Sequence, residues 1–310
     1  MAEEKATEVK KDFRSGFVAL LGRPNVGKSS IINALLREKV AAVSPKPQTT
    51  RNAVRCIYTT DNEQIVFVDT PGIHDPKNAL GDFMMKEAEE ALSQVDAVCY
   101  VVEAQDRTIG DKDEIILEVL SHTKLPVILA VNKTDKAGGE HWQKAAELYS
   151  QHLKPAAVVP LSANTGAGLE ELAAAIAKEL PEQPPIYPED MIVDSSERFI
   201  AEEIIREKIL RNTNEEVPHE VAVLIDEFKS PQEFPDKKVC EIRATIIVDK
   251  PGQKGIIIGK GGAMLKKIGS ESRHELEARL GEKVFLQLWV KVKPGWRKSP
   301  EELKRLGYKL

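Results

Sequence analysis

The sequence predicts an α/β domain with a mainly parallel sheet and helices on both faces, followed by a smaller α+β module. Three observations carry this. From residue 16 to about 180, short apolar runs alternate with segments of helical period. A glycine-rich loop stands between the first run and the first helix. Pro181-Glu182-Gln183-Pro184-Pro185-Ile186-Tyr187-Pro188 then breaks the pattern, and a different order of elements follows it.

In chain order, residues 1–15 form a charged lead-in with no apolar stretch of the kind a secretion signal needs. The strand-like runs of the first domain, 16–180, are Phe17–Leu21, Ala53–Tyr58, Gln64–Val68, Ala97–Val102, Pro126–Val131 and Ala156–Pro160. Helices are expected at Lys28–Arg37, Leu80–Ser93, Lys112–Ser121, Trp142–Gln151 and Leu169–Leu180. Residues 181–192 read as a proline-rich linker. In the second domain, 193–310, Ser195–Asn212 reads as a helix capped by Ser195 or Ser196. Val217–Phe228 and Val239–Val248 read as strands, glycines 255–262 lead into a helix to about Leu280, and Val284–Val292 reads as the last strand. That is an α-β-β-α-β module.

Composition bounds the answer. With 310 residues, 42% hydrophobic and 30% charged, the chain is of ordinary globular type, and two domains are expected at roughly 150 residues each. No apolar run approaches the ~20 residues of a membrane-spanning helix. Cys56, Cys99 and Cys240 are far apart and read as small buried thiols, which fits a reducing cytoplasm. The net charge of −5 hides an asymmetry: Lys250–Leu310 carries 15 basic and 6 acidic residues. A basic region of this kind points to a polyanion partner.

The loop is Gly22-Arg23-Pro24-Asn25-Val26-Gly27-Lys28-Ser29. Strand, glycine loop and helix form the context in which backbone amides turn inward around phosphate, with the helix N-terminus behind them. Lys28 would reach the outer phosphates and Ser29 would offer its hydroxyl to Mg²⁺. Asp69-Thr70-Pro71-Gly72 follows a strand. Its carboxylate can hold Mg²⁺ directly or through water, and Gly72 can bring its amide against a terminal phosphate. Asn132-Lys133-Thr134-Asp135 follows a later strand. Asp135 can accept two hydrogen bonds from the N1–H and exocyclic amine of guanine, a donor pair adenine lacks, which argues against ATP. After the next strand, a backbone N–H in Ser162-Ala163-Asn164 could meet guanine O6. Ser44–Arg51 is polar and proline-interrupted, and a threonine hydroxyl there could complete the Mg²⁺ shell while a γ-phosphate is present.

Taken together, GRPNVGKS, QTTR, DTPG, NKTD and SAN resemble the Ras-like GTPases, and within them the Era family. The resemblance implies that Thr50, with Thr49 as the alternative, ligates Mg²⁺, so the expected metal set is Ser29, Thr50 and Asp69. Ile73 stands where Ras-type enzymes carry a water-orienting glutamine, so another group must position the water. Lys28, Thr50 and Gly72 are the expected catalytic groups. Asn25 is a feature that goes with potassium activation in relatives.

In the second module, Gly259-Lys260-Gly261-Gly262 precedes a helix and matches the GXXG loop that clamps nucleotide backbone in KH domains. Lys260, Lys266 and Lys267 would supply charge, and Ile257, Ile258 and Ile268 an apolar platform for bases. The element order looks like the second KH type. Trp289, Trp296 and Tyr308, among Lys291, Lys293, Arg297 and Lys298, could stack single-stranded bases, while Phe285 is assigned to packing. The resemblance implies GTP hydrolysis to GDP and phosphate, with a target in the small ribosomal subunit near the 3′ end of its 16S-type RNA during assembly. It implies RNA and not DNA as partner, a monomer, and a cytoplasmic protein in loose peripheral contact with the inner membrane. A second reading is an RNA-binding assembly factor whose nucleotide site is slow or inert.

Overall fold

The structure, a computed structural model, describes residues 12–43, 54–70, 79–138, 141–213, 217 and 220–308. Contacts divide the chain into two units.

In the first unit, β1 (Arg14–Leu21), β3 (Glu63–Asp69), β4 (Ala97–Glu103), β5 (Val127–Asn132) and β6 (Ala157–Pro160) lie parallel. Two antiparallel strands, β2 (Val54–Thr59) and β7 (Val193–Asp194), close one edge, giving the order β6-β5-β4-β1-β3-β2-β7. β5 is buried at every position, because a parallel strand with helices above and below reads as one apolar run. The helices are α1 (Lys28–Leu36), α2 (Ala79–Leu92), α3 (Asp111–Ser121), α4 (Thr134–Ala137), α5 (Trp142–Ser150) and α6 (Leu169–Glu179). The loops that matter all leave the C-terminal ends of parallel strands, where ligands of open α/β sheets bind.

Two expected domain boundaries need correction. Residues 181–192 are no free spacer. The buried Gln64 amide donates to Tyr187 O at 2.9 Å and accepts from the amides of Ile186 and Tyr187 at 2.7 and 2.8 Å. Ser15 Oγ donates to Pro184 O at 2.7 Å. The prolines keep this segment extended, and polar groups at the N-terminal ends of the interior strands β1 and β3 bind the extended chain, so the first unit runs to Asp194. Residues 42–43 and 79–86, placed by sequence in the first domain, group with the second unit, so α2 begins in one unit and ends in the other.

The second unit has a three-stranded sheet, with β8 (Val221–Lys229) antiparallel and β10 (Val284–Val292) parallel to the central β9 (Cys240–Val248). Its other elements are α7 (Glu197–Asn212), α8 (Pro251–Ile258), α9 (Ala263–Leu280) and α10 (Pro300–Arg305). Ser196 caps α7 by accepting from Phe199 N at 3.2 Å. The expected order gains two helices. Residues 255–258, expected to be part of the glycine-rich lead-in to the next helix, belong to α8, which starts at Pro251 as its first-turn proline. The core joins Ile205 and Ile209 of α7 to Ile242, Ala244 and Ile246 of β9 and to Ile257 and Ile268. A separate cluster joins Ala222 and Ile247 to Trp296, Leu303, Leu306 and Tyr308. Cys56, Cys99 and Cys240 are buried free thiols, and burial pushes the Cys99 thiol up to about 12.

Candidate functional site

Between β1 and α1 the chain turns through Gly22 and Gly27, at φ 152° and 108°. A Cβ on Gly27 would lie 2.3 Å from Asn132 Nδ2, and one on Gly22 would lie 2.6 Å from Val101 O, so only glycine fits either place. Asn25 sits between them at φ 68°, a position that asparagine tolerates better than most residues.

The loops are joined by side chains. Asn132 Nδ2 donates to Val26 O at 2.8 Å, and its Oδ1 accepts from Ala163 N at 3.1 Å. Lys133 Nζ donates to Asn25 O at 2.7 Å and to Glu103 Oε1 at 2.6 Å. Asn132 is buried and cross-links three loops, a structural job the motif alone does not reveal. Of the backbone amides of Ser162-Ala163-Asn164, one of which is expected to meet guanine O6, that of Ala163 donates to Asn132 Oδ1. Thr134 Oγ1 donates to Leu161 O at 3.0 Å. Asp135 is exposed, and its Oδ1 accepts from the buried Ser162 Oγ at 2.7 Å. Ser162 therefore orients the carboxylate and leaves it further acceptor sites for a ligand.

Lys28 is buried, with Nζ donating to Gly22 O at 2.8 Å. Burial lowers its pKa to about 8, and the charge of Asp69 opposes that fall. Ser29 Oγ donates to Asp69 Oδ2 at 2.7 Å, and Thr70 Oγ1 donates to Leu20 O at 2.6 Å. A hydroxyl and a carboxylate converging beside a phosphate loop form a hard-oxygen pair that suits Mg²⁺. Arg23 and Pro24 complete the loop. Thr49, Thr50, Pro71, Gly72 and Ile73 lie outside the described residues.

Sequence reasoning missed a group of supports under the loop. Arg23 donates through Nη1 to Asp113 Oδ2 at 2.8 Å and through Nη2 to Asp106 Oδ1 at 2.5 Å. The carboxylates also accept from Tyr100 and Tyr149 hydroxyls, at 2.9 and 3.0 Å. Burial works against the Arg23 charge, but the hydrogen bond to Asp106 and the field of both carboxylates raise its pKa on balance. Asp106 Oδ2 also accepts from Glu103 N at 3.1 Å. The turn that follows β4 thus touches both the phosphate loop and, through Glu103, the loop of Lys133.

In the second unit, α8 ends at Gly259 and α9 begins after Gly262. Gly259, Gly261 and Gly262 have φ of 72°, 60° and 80°. A Cβ on Gly259 would lie 2.7 Å from Met264 Cβ, whereas nothing lies within 4 Å of one on Gly261 or Gly262. The turn is therefore open outward. Lys260, Lys266 and Lys267 are exposed around it, beside the N-terminus of an 18-residue helix. Cations, open glycine backbone and a helix start make a place for phosphates. The expected base platform needs correction: Ile257 and Ile268 are core residues and Ile258 packs against them. So do the aromatic assignments, since Trp296 and Tyr308 are buried while Phe285 and Trp289 are exposed.

A family model described as 50S ribosome-binding GTPase matches residues 17–133, and a KH-domain model matches 216–297. The chain is 50% identical to the GTPase Era of Caldicellulosiruptor saccharolyticus over 298 residues, covering 96% of this chain and 98% of that protein. Two crystal structures resemble it at TM-score 0.90 and 42% identity, each covering 96% of this chain and all of the other. One is Era in complex with MgGDPNP and nucleotides 1506–1542 of 16S ribosomal RNA. The other is an Aquifex aeolicus Era variant bound to GDP·AlF4⁻.

Proposed function

The chain belongs to the Era family of GTPases, and from that premise we propose how its own residues perform GTP hydrolysis and bind ribosomal RNA. Water attacks the γ-phosphorus, the bond to the β–γ bridging oxygen breaks, and GDP and phosphate result. Catalysis of this type is mostly positioning and electrostatics. The amides of Gly22–Ser29 hold the phosphates, and protonated Lys28 faces the charge that develops on them. Asp135, oriented by Ser162, accepts from guanine N1–H and its amine. Ser29 and Asp69, with Thr50, would hold Mg²⁺, which when bound neutralises charge on the phosphate oxygens. Thr50 and Gly72 keep the γ-phosphate-sensing roles read from sequence, and Pro71 and Ile73 keep their place in the expected nucleotide-binding set.

One observation carries this reading. Asn132 and Lys133 reach back to the carbonyls of Val26 and Asn25, so the base-selecting loop and the phosphate loop form a single site. In the second unit, Gly259–Gly262 with Lys260, Lys266 and Lys267 would clamp single-stranded RNA near the 3′ end of the small-subunit RNA; the related Era is in complex with nucleotides 1506–1542 of 16S ribosomal RNA. A ribosomal partner calls for the cytoplasm. Peripheral contact with the inner membrane would have to use basic patches, since among the described residues no helix is long and apolar enough to cross a membrane.

The test is phosphate release from GTP with and without an RNA of the 16S 3′ end. Turnover that responds to the RNA is expected. No turnover in either condition would leave an RNA-binding factor with an inert nucleotide site. Exchange of potassium for sodium at constant ionic strength is expected to slow release through Asn25, and equal rates remove potassium from the account.

A further inference from the structure

The glycine loop does not account for the other face of the same sheet. Along β10, Leu286, Leu288 and Val290 turn toward the helices and the core, so Phe285, Gln287, Trp289 and Lys291 stand on the opposite face. Phe285 is 51% exposed and Trp289 45%. Four residues apart on one strand, their side chains emerge about 13 Å from each other. Between them Arg243 of β9, in register with Gln287, donates Nε to its Oε1 at 3.1 Å. The side chain of Arg243 is half in solvent, and Lys291 is exposed beyond Trp289. Of the acidic groups on this face, Glu241 pairs with Lys237 and Glu227 with Lys229 and Arg243, while the exposed Asp226 accepts from Thr245 Oγ1 at 2.6 Å. The fold covers the other end of this face, where Trp296, Leu303, Leu306 and Tyr308 lie over Ile247 and Ala222. Among the described residues it leaves the Phe285–Trp289 end open.

Two further facts select the occupant. β10 is an edge strand, so nothing in the sheet separates its two faces beyond the strand itself. A Cβ on Gly269, two turns into α9 from the glycine loop, would lie 3.5 Å from Leu288 Cδ1. The glycine-loop side and the aromatic pair therefore flank one strand. A polynucleotide leaving the loop can pass over the edge and meet two exposed rings with a guanidinium between them. Rings and guanidinium planes take unstacked bases with little regard to sequence.

We propose that Phe285, Trp289 and Arg243 form a stacking platform for single-stranded RNA that continues past the glycine loop over the edge of β10. This rests on the reading of Gly259–Gly262 as an RNA clamp.

The test uses the full chain carrying Trp142→Phe, which leaves Trp289 and the buried Trp296 as emitters. The probes are a tetranucleotide, the length a KH groove holds, and a dodecamer that begins with it. The dodecamer at saturation is expected to quench Trp289, and the tetramer is not. Phe285→Ala with Trp289→Ala, which removes two rings, is expected to weaken the dodecamer about thirtyfold or more while tetramer affinity stays as it was. Trp289→Phe, which keeps a ring, is expected to restore most of the loss. If the parent binds both probes and the double alanine variant binds the dodecamer equally well, this proposal alone is overturned. If the parent binds neither, the clamp reading falls and this proposal with it. Trp289 emission that shifts with protein concentration in the absence of RNA would assign the face to a second copy of the chain, which also overturns it.

Discussion

Raising the pH should loosen nucleotide binding through one buried amine. Lys28 has its pKa lowered to about 8 by burial, with Asp69 opposing, and its Nζ rests on Gly22 O at 2.8 Å. A bound nucleotide surrounds it with phosphate charge and holds it protonated. Affinity then scales with the protonated fraction in the free protein. That fraction is about nine-tenths at pH 7, one half at pH 8 and one-eleventh at pH 9, so the apparent Kd rises roughly tenfold from pH 7 to pH 9. Stability of the free protein moves the other way. The folded pKa lies below the ordinary lysine value of 10.5, so between about 8 and 10.5 the unfolded chain binds more protons and stability rises with pH. The assay is titration with a fluorescent guanine diphosphate across pH 6.5–9 at constant ionic strength, in parallel with Lys28→Arg, whose charge persists throughout. The variant reports whatever the nucleotide itself contributes, and the difference between the curves belongs to Lys28. Parallel curves would refute the reasoning.

Asp135→Asn removes two charge-assisted hydrogen bonds of about 1.5–3 kcal/mol each. Guanine nucleotide affinity should fall by about 10²–10⁴ and shift toward xanthine nucleotides, with the thermal midpoint of the free, exposed site unchanged; competition binding decides it. Asp113→Asn leaves the Arg23 guanidinium with Asp106 as its one charged partner of the pair described. About 2 kcal/mol of stability, some 4–8 °C in Tm, should be lost, and a melt within 1 °C of the parent would deny the support under the loop. Gly261→Asp adds no clash, since nothing lies within 4 Å, and costs about 1–2 kcal/mol of left-handed strain. It should cut RNA affinity more than tenfold in filter binding while GDP affinity holds; loss of both would mean a broken fold.

The sequence was legible where chemistry is local. Gly22 and Gly27 announce a turn that excludes a side chain, and apolar alternation announces the strands that aim the loops. What was not legible involves partners remote in the chain. Arg23 finds Asp106 and Asp113 at separations of 83 and 90 residues, and neither aspartate belongs to a motif. The prolines of 181–188 correctly indicate extended chain, but the buried Gln64 that receives it lies 122 residues earlier. Two helices did carry a signal: Pro251 at the start of α8, and Ser299-Pro300 with Glu302 at the start of α10. The glycines after Pro251 drew the reading toward a loop. β10 carries large apolar side chains on both faces, so alternation sorts its side chains into two sets but leaves Phe285 and Trp289 open to either reading. Hence Phe285, expected to pack, is exposed by the sheet; Trp296, expected to stack on bases, lies beyond β10 in a short turn and is buried.

The account turns on a single acid choosing the base. Calorimetric titration of the magnesium-supplied protein with GDP and with ADP tests this most directly. GDP is expected to bind at least about a thousandfold more tightly; equal affinities would contradict the account.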